Sequence, residues 1–210
     1  MTLGRQVYVA QSVPGEWPPL QSEHLRPIDE SLCGWYKPHS GGLWTSSLTT
    51  DGRSGWIDWC LNENFEGPEF DIWHLDPNPA ASVYTIDTYN DLAALASRFP
   101  PACDHPKGCP TWGDGIGSGV GWRRVAKEYD AVRVTEEGEW KMRLSDPISI
   151  YGWDCESTVW FRWKFLDVRH VGVQRFERLA GTATSRRPCG RPRPPAAVRP
   201  GRPGPGPRTR

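Results

Sequence analysis

Short segments rich in β-branched and aromatic residues most restrict how this chain can fold. Several of them alternate apolar and polar side chains, as strands do when one face is buried, and residues 157–165 do so strictly. The segments at 148–152 and 157–165 form either two strands or one bent strand. The other predicted strands cover residues 6–10, 43–48, 70–75, 82–86 and 129–134, with an edge strand at 168–173.

Helical patterns are fewer than strand patterns. Residues 54–64 have helical periodicity, and residues 122–129 form a second short helix. Between them, Thr88 and Asp91 make a capping box before an apolar helix that ends ahead of Pro100. Because strands outnumber helices and no strict βαβ alternation occurs, the sequence predicts an α+β domain with a mostly antiparallel mixed sheet.

Charge and proline content divide the chain near residue 181. The chain has 25 basic and 25 acidic residues, but residues 182–210 hold eight arginines and no acidic residue. Residues 1–181 therefore carry 17 basic against 25 acidic side chains, a formal charge of about −8. We expect a single domain over 1–181 and a disordered or polyproline-like tail over 182–210. Nucleic-acid contact is expected only through this basic tail.

The location of the protein follows from what its sequence lacks. No apolar run is long enough to span a membrane, and no signal peptide is recognisable at the start. We therefore expect a cytoplasmic protein without membrane contact, whose six cysteines stay reduced.

The stretch from Gly41 to Ser47 is the strongest candidate for a binding segment. A glycine pair precedes a short apolar strand that ends in three hydroxyl side chains. Glycine lets a ligand or another backbone approach closely because it has no Cβ. An aromatic ring beside hydroxyls suits a flat, polar ligand.

This stretch, with its neighbours, resembles the ADP-ribosyltransferase superfamily. Gly42-Leu43-Trp44-Thr45-Ser46 followed by Ser54-Gly55-Trp56-Ile57-Asp58-Trp59-Cys60 is similar to the family's strand-then-helix block. Val7-Tyr8-Val9-Ala10 takes the place of its first strand, and Gly152-Trp153-Asp154-Cys155-Glu156-Ser157 that of its acidic segment. The chain also resembles small proteins of actinobacteria and their phages.

The resemblance implies that NAD binds, as a substrate, in a cleft between two half-sheets. Trp44 would stack on nicotinamide and Thr45 and Ser46 would line the ribose side, with Tyr8 and Gly42 on the same binding surface. Asp154 or Glu156 would stabilise the cationic transition state as nicotinamide leaves. The implied acceptor of ADP-ribose is a protein, a nucleic acid or water.

The chain departs from the family on the first strand. Val9 and Ala10 stand where the family has a histidine or an arginine, and the nearest replacements are His24 and Arg26 on a loop. The last strand also lacks a Glu-x-Glu pattern.

Other interpretations of the same residues remain open. The 12 tryptophans also suit a non-catalytic binding module for a protein or a carbohydrate. Trp44 is more often a core residue than a ligand platform, and Asp154 and Glu156 lie in a turn where acidic residues are common. Residues 103–109 offer two cysteines and a histidine but no fourth zinc ligand, so we interpret them as a loop. The G-x-G-x-G at 113–117 follows no strand and is read as a mobile loop.

Overall fold

A computed structural model describes most of the chain before residue 176. The described residues are 3–12, 19–29, 37–38, 40–63, 69–101, 119–145 and 148–175. The predicted tail, the boundary at 181 and the cysteine- and glycine-rich loops at 103–109 and 113–119 lie outside them, apart from Gly119.

Eight strands of the described residues form one sheet. The strands are β1 (Gln6–Gln11), β2 (Arg26–Asp29), β3 (Ser40–Ser47), β4 (Glu69–Pro77), β5 (Val83–Ile86), β6 (Ala131–Val134), β7 (Ser157–Trp160) and β8 (Phe165–Arg175). Their order is β5-β6-β7-β3-β1-β4-β8, with β2 paired to β3. Only β5 and β6 run parallel; the other pairs are antiparallel. The predicted α+β class with a mostly antiparallel sheet is confirmed.

The sheet narrows where β1 meets β3. These two strands pair only through Gln6 with Ser47 and Val7 with Ser46. Beyond that point β1 continues along β4, whereas β3 continues along β7. The two parts of the sheet are therefore joined at one end of each strand.

Four α-helices accompany the described strands, and side chains cap three of them. They are α1 (Gly55–Asn62), α2 (Tyr89–Arg98), α3 (Trp122–Glu128) and α4 (Glu136–Met142). Ser54, Thr88 and Thr135 cap α1, α2 and α4 by accepting a backbone N–H, and Thr88 with Asp91 forms the predicted capping box. No described helix is long and apolar enough to cross a membrane.

The helices pack on one face of the sheet. Val132, Val134 and Val159 point into a core built with α2, α3 and α4, while Val7 and Ile72 pack with α1. We call this the helical face. The opposite face carries a third cluster, centred on Leu43, Trp73 and Trp160, that contains no residue of these helices. Because side chains alternate along a strand, each strand residue can be assigned to one of the two faces.

Several local predictions were wrong. The segment 157–165 is not one strand, because β7 ends at Trp160 and β8 begins at Phe165, and Arg26 begins β2 and does not lie on a loop. Residues 148–152 form a turn and not a strand: the N–H of Ile150 donates to the carbonyl of Met142, and that of Trp153 donates to the carbonyl of Ile150. Ile150 is fully buried and Ile148 partly buried in the core that contains Met142 of α4, whereas Tyr151 is exposed. Helix α4 itself was not predicted, because it is short and contains Gly138. A Cβ at that glycine would lie 2.6 Å from the carbonyl oxygen of Ile86, so close packing requires glycine there.

Candidate functional site

A buried carboxylate lies at the junction of β3 and β7. Glu156, which directly precedes β7, is 9% exposed. Its Oε2 accepts the N–H of Ser47 at 2.8 Å, and its Oε1 accepts the Ser47 hydroxyl at 2.7 Å. Arg133 on β6 donates from Nε to the same Oε1 at 3.1 Å. The carboxylate is thus held by three donors from two strands, the arrangement that a buried charge requires.

The hydrogen bonds continue from Ser47 across to β1. Gln6, fully buried, donates from Nε2 to the Ser47 hydroxyl at 3.3 Å and accepts the Thr45 hydroxyl at Oε1, 2.9 Å away. Thr45 in turn accepts the indole N–H of Trp160 at 2.9 Å. The result is a continuous polar network that joins four strands at the narrow point of the sheet. By strand alternation and contact, it lies on the face opposite the helices.

Some donors and acceptors at this network lack partners among the described residues. Thr158, which is opposite both Thr45 and Arg133 in the sheet register, is fully buried, and its Oγ1 makes no hydrogen bond there. Arg133 has a side chain 23% exposed, and within that part of the chain only its Nε is engaged. Among the described residues, the network therefore leaves one buried hydroxyl, that of Thr158, without a partner, and it is open at the terminal nitrogens of Arg133.

The predicted β3 residues divide between the two faces. Thr45 belongs to the network, but Trp44 and Ser46 point to the helical face. Trp44 is half-buried, with its ring centroid 4.8 Å from that of Trp153, edge to face. Ser46 is fully buried and its hydroxyl accepts the N–H of Trp56. Trp44 and the Glu156 carboxylate consequently do not converge on one ligand position.

Gly42 is also closed to a ligand on the helical face. It has φ +69°, and a Cβ there would lie 2.7 Å from Cγ2 of Val159 and 3.0 Å from the carbonyl oxygen of Trp160. The neighbouring strand β7 packs against Gly42 in the space that the missing Cβ leaves, so a ligand cannot use that space.

Asp154 is part of a separate ionic cluster. Arg143 donates from Nη2 to Asp154 and from Nη1 to Glu139, each at 3.3 Å. Burial raises the pKa of Glu139, and the nearby charge of Arg143 opposes that rise. This cluster stands at α4, next to Trp153, and has no hydrogen bond to the Glu156 network among those of the described residues.

Tyr8 lies on the same face as Glu156 but on β1, which is separated from β7 by β3. Its ring packs against Trp73, with centroids 5.6 Å apart, and burial raises the pKa of its hydroxyl. On this face, the buried carboxylate of Asp71 accepts hydrogen bonds from Ser12 and His170. No group of three or more potential metal ligands occurs within the described ranges.

His24 and Arg26, suggested as replacements for the missing histidine or arginine of the first strand, make no described contact with the network. His24 ends a short 3-10 helix, Ser22–His24, and its Nδ1 contacts the backbone of Gln21. Arg26 pairs with Gly42 across β2 and β3, on the helical face.

Sequence reasoning did not single out Gln6, Ser47 and Arg133 as site residues. Ser47 was visible as the third hydroxyl of β3. The other two looked like ordinary polar positions of a half-buried strand, and only the strand order brings them to Glu156.

An open groove lies elsewhere on the surface, with a volume of about 390 Å³. Trp163 and Phe165, perpendicular rings with centroids 5.1 Å apart, line it together with Leu20, Leu166 and Val168. Its polar lining consists of Gln21, Ser22, Glu23 and Asp167.

Comparison of the chain with protein-family models, with curated proteins and with solved structures finds no match.

Proposed function

We propose that this domain is ADP-ribosyltransferase-like and binds NAD on the face opposite the helices, with Glu156 as its functional carboxylate. The observation that carries the proposal is the position of Glu156. Its carboxylate is fixed by Ser47 and Arg133 where β3 and β7 meet, next to the point at which the two parts of the sheet separate. The order of blocks in the sequence agrees, since β1, β3 and β7 lie side by side.

A carboxylate held this way suits the chemistry of NAD. When the bond between ribose C1′ and nicotinamide breaks, the electron pair leaves with nicotinamide and the ribose becomes cationic. A preorganised negative charge near that carbon lowers the barrier, because it needs no reorientation as charge develops. An acceptor nucleophile then bonds to C1′ and loses its proton. The acceptor class stays open between protein, nucleic acid and water.

The geometry favours Glu156 over Asp154 as the catalytic group. Glu156 shares its face with Thr45 and Tyr8, two of the proposed cofactor-binding residues. Asp154 is instead paired with Arg143 beside the helical core. The proposed role for Trp44 is accordingly restricted to supporting β3 from the helical face.

Release of nicotinamide from NAD by the full-length protein tests this proposal. Glu156→Gln keeps the size of the side chain and one of its two acceptor oxygens, but replaces the other oxygen by an NH2 group and removes the charge. We expect turnover to fall about 100-fold or more, within the range seen when one electrostatic stabiliser is lost, with NAD binding retained. Asp154→Asn is the matched control and should leave turnover unchanged. Equal losses in both variants, or no NAD binding by the folded wild type, would contradict the assignment.

A binding module is the second candidate function, and the groove at Trp163 favours it. A half-buried aromatic floor with a rim of hydrogen-bonding side chains suits the apolar face and hydroxyls of a sugar ring. The groove lacks a basic lining residue among the described ones, which argues against phosphate binding there. Chemical-shift changes at residues 20–23 and 163–168 on adding maltotriose or cellotriose, without any response to NAD, would favour this candidate.

A further inference from the structure

We infer that Arg133 binds the phosphate attached to the nicotinamide ribose of NAD. This inference rests on the proposed function and adds a recognition residue to it. NAD carries a negatively charged diphosphate, and residues 1–181 have a formal charge of about −8. A local cation is therefore needed at the site to offset repulsion from the body of the protein.

Arg133 has the geometry for a second anionic partner. Its Nε donates to Oε1 of Glu156, which fixes the plane of the guanidinium. The guanidinium is planar and rigid, so the directions of its other N–H bonds are fixed: one terminal N–H runs parallel to the Nε–H, and the remaining three point in other directions. The terminal nitrogens have no hydrogen-bond partner among the described residues, and the side chain is 23% exposed. Planar N–H pairs of this kind suit phosphate oxygens.

Other basic residues with described contacts are committed elsewhere. Arg143 holds Glu139 and Asp154, and Arg5 forms a bidentate pair with Asp76. Arg162 is occupied by Asp130 and by two backbone carbonyls. None of these contacts Glu156.

The hydrogen bond between Arg133 and Glu156 connects the proposed phosphate-binding residue to the proposed catalytic carboxylate. In NAD the nicotinamide ribose is bonded directly to one phosphate through its 5′ oxygen. A guanidinium that holds that phosphate while touching the carboxylate would place the ribose beside Glu156. Positioning of this kind contributes to catalysis by holding the reacting carbon, C1′, close to the negative charge that stabilises the transition state.

Two ligands separate this role from a merely structural one. NAD and nicotinamide riboside share the nicotinamide ribose, but only NAD has the diphosphate. The affinity of the full-length protein for each is measured by calorimetry, in wild type, Arg133→Gln and Arg143→Gln. The second variant is the matched control, because it also removes an arginine from an ion pair. Thermal melting of each variant shows that it is folded, and Arg133→Lys replaces Arg133→Gln if the latter is not.

We expect Arg133→Gln to weaken NAD binding about 10- to 100-fold, the usual loss for hydrogen bonds to a charged group. Nicotinamide riboside should bind both proteins alike, and Arg143→Gln should change neither affinity. Equal weakening of the two ligands would overturn the inference, because Arg133 would then act only by supporting Glu156. Unchanged NAD affinity in Arg133→Gln would overturn it as well.

The same titrations distinguish a failure of the proposed function. If wild type binds neither ligand, the proposed NAD function fails. Inorganic pyrophosphate is then the probe for Arg133 alone. Binding that is lost in Arg133→Gln would support an anion site at this arginine, and no binding would refute it.

Discussion

Two threonines that face each other across β3 and β7 provide a direct test of the polar network. Thr45 and Thr158 are paired in the sheet register and are both buried, with 4% and 0% exposure. They differ in bonding: Thr45 joins Gln6 to Trp160, whereas the Thr158 hydroxyl has no partner among the described residues. The same substitution, threonine to valine, should therefore have opposite effects at the two positions.

The expected magnitudes follow from the groups left behind. Thr45→Val leaves the Trp160 indole N–H and the Gln6 amide oxygen buried without that partner. At about 1 to 3 kcal/mol for each unsatisfied group, the free energy of unfolding should fall by about 2 to 6 kcal/mol. Thr158→Val removes a buried hydroxyl that makes no bond, and should raise it by about 1 to 2 kcal/mol.

Urea unfolding of the full-length protein, followed by tryptophan fluorescence, measures both changes. The slope with denaturant should be the same in both variants, so that the shift in midpoint reports stability. If Thr158→Val destabilises the protein as much as Thr45→Val, the Thr158 hydroxyl is paired in solution and the reasoning is refuted.

Further variants test the close packing of β3 and the environment of two thiols. Gly42→Ala should cost about 2 to 5 kcal/mol, because alanine is strained at φ +69° and would clash with Val159. Gly52→Ala, at φ +77° with no atom within 4 Å, should cost only about 1 kcal/mol in the same unfolding experiment. Burial raises the pKa of Cys60 to about 11 and that of Cys155 to about 12. In a protein with the other four cysteines replaced by serine, we therefore expect both thiols to react very slowly with a thiol reagent at pH 8. Because folding raises both pKa values, the neutral thiols contribute to the stability of the folded state below about pH 9, and that contribution should be lost toward pH 12. Fast labelling of the folded protein at pH 8 would show that the two thiols are not buried.

Local sequence patterns were sufficient for most elements of the fold. Alternation identified β4, and the Thr88–Asp91 box located the start of α2, because these signals act within a few residues. The alternating pattern at 157–165 located the start of β7 but not its end at Trp160, and all four residues of that strand are buried. Pattern reasoning failed where tertiary packing decides. Ile150 is buried in a turn that packs with Met142 of α4 and is not part of a strand. Strand β8 runs on to Arg175 because β4 pairs along its length.

The candidate site shows the same difference between what local sequence patterns predict and what tertiary packing decides. The sequence by itself determined that β3 carries hydroxyls, that an acidic segment precedes β7, and that the domain is α+β, since each depends on residue type and spacing. Only the tertiary structure decided which residues meet. Strand order placed Gln6, Ser47 and Arg133 around Glu156, and strand alternation turned Trp44 away from it. Hydrogen bonds among residues up to 115 positions apart depend on how strands pair, and a local pattern contains no information about that pairing.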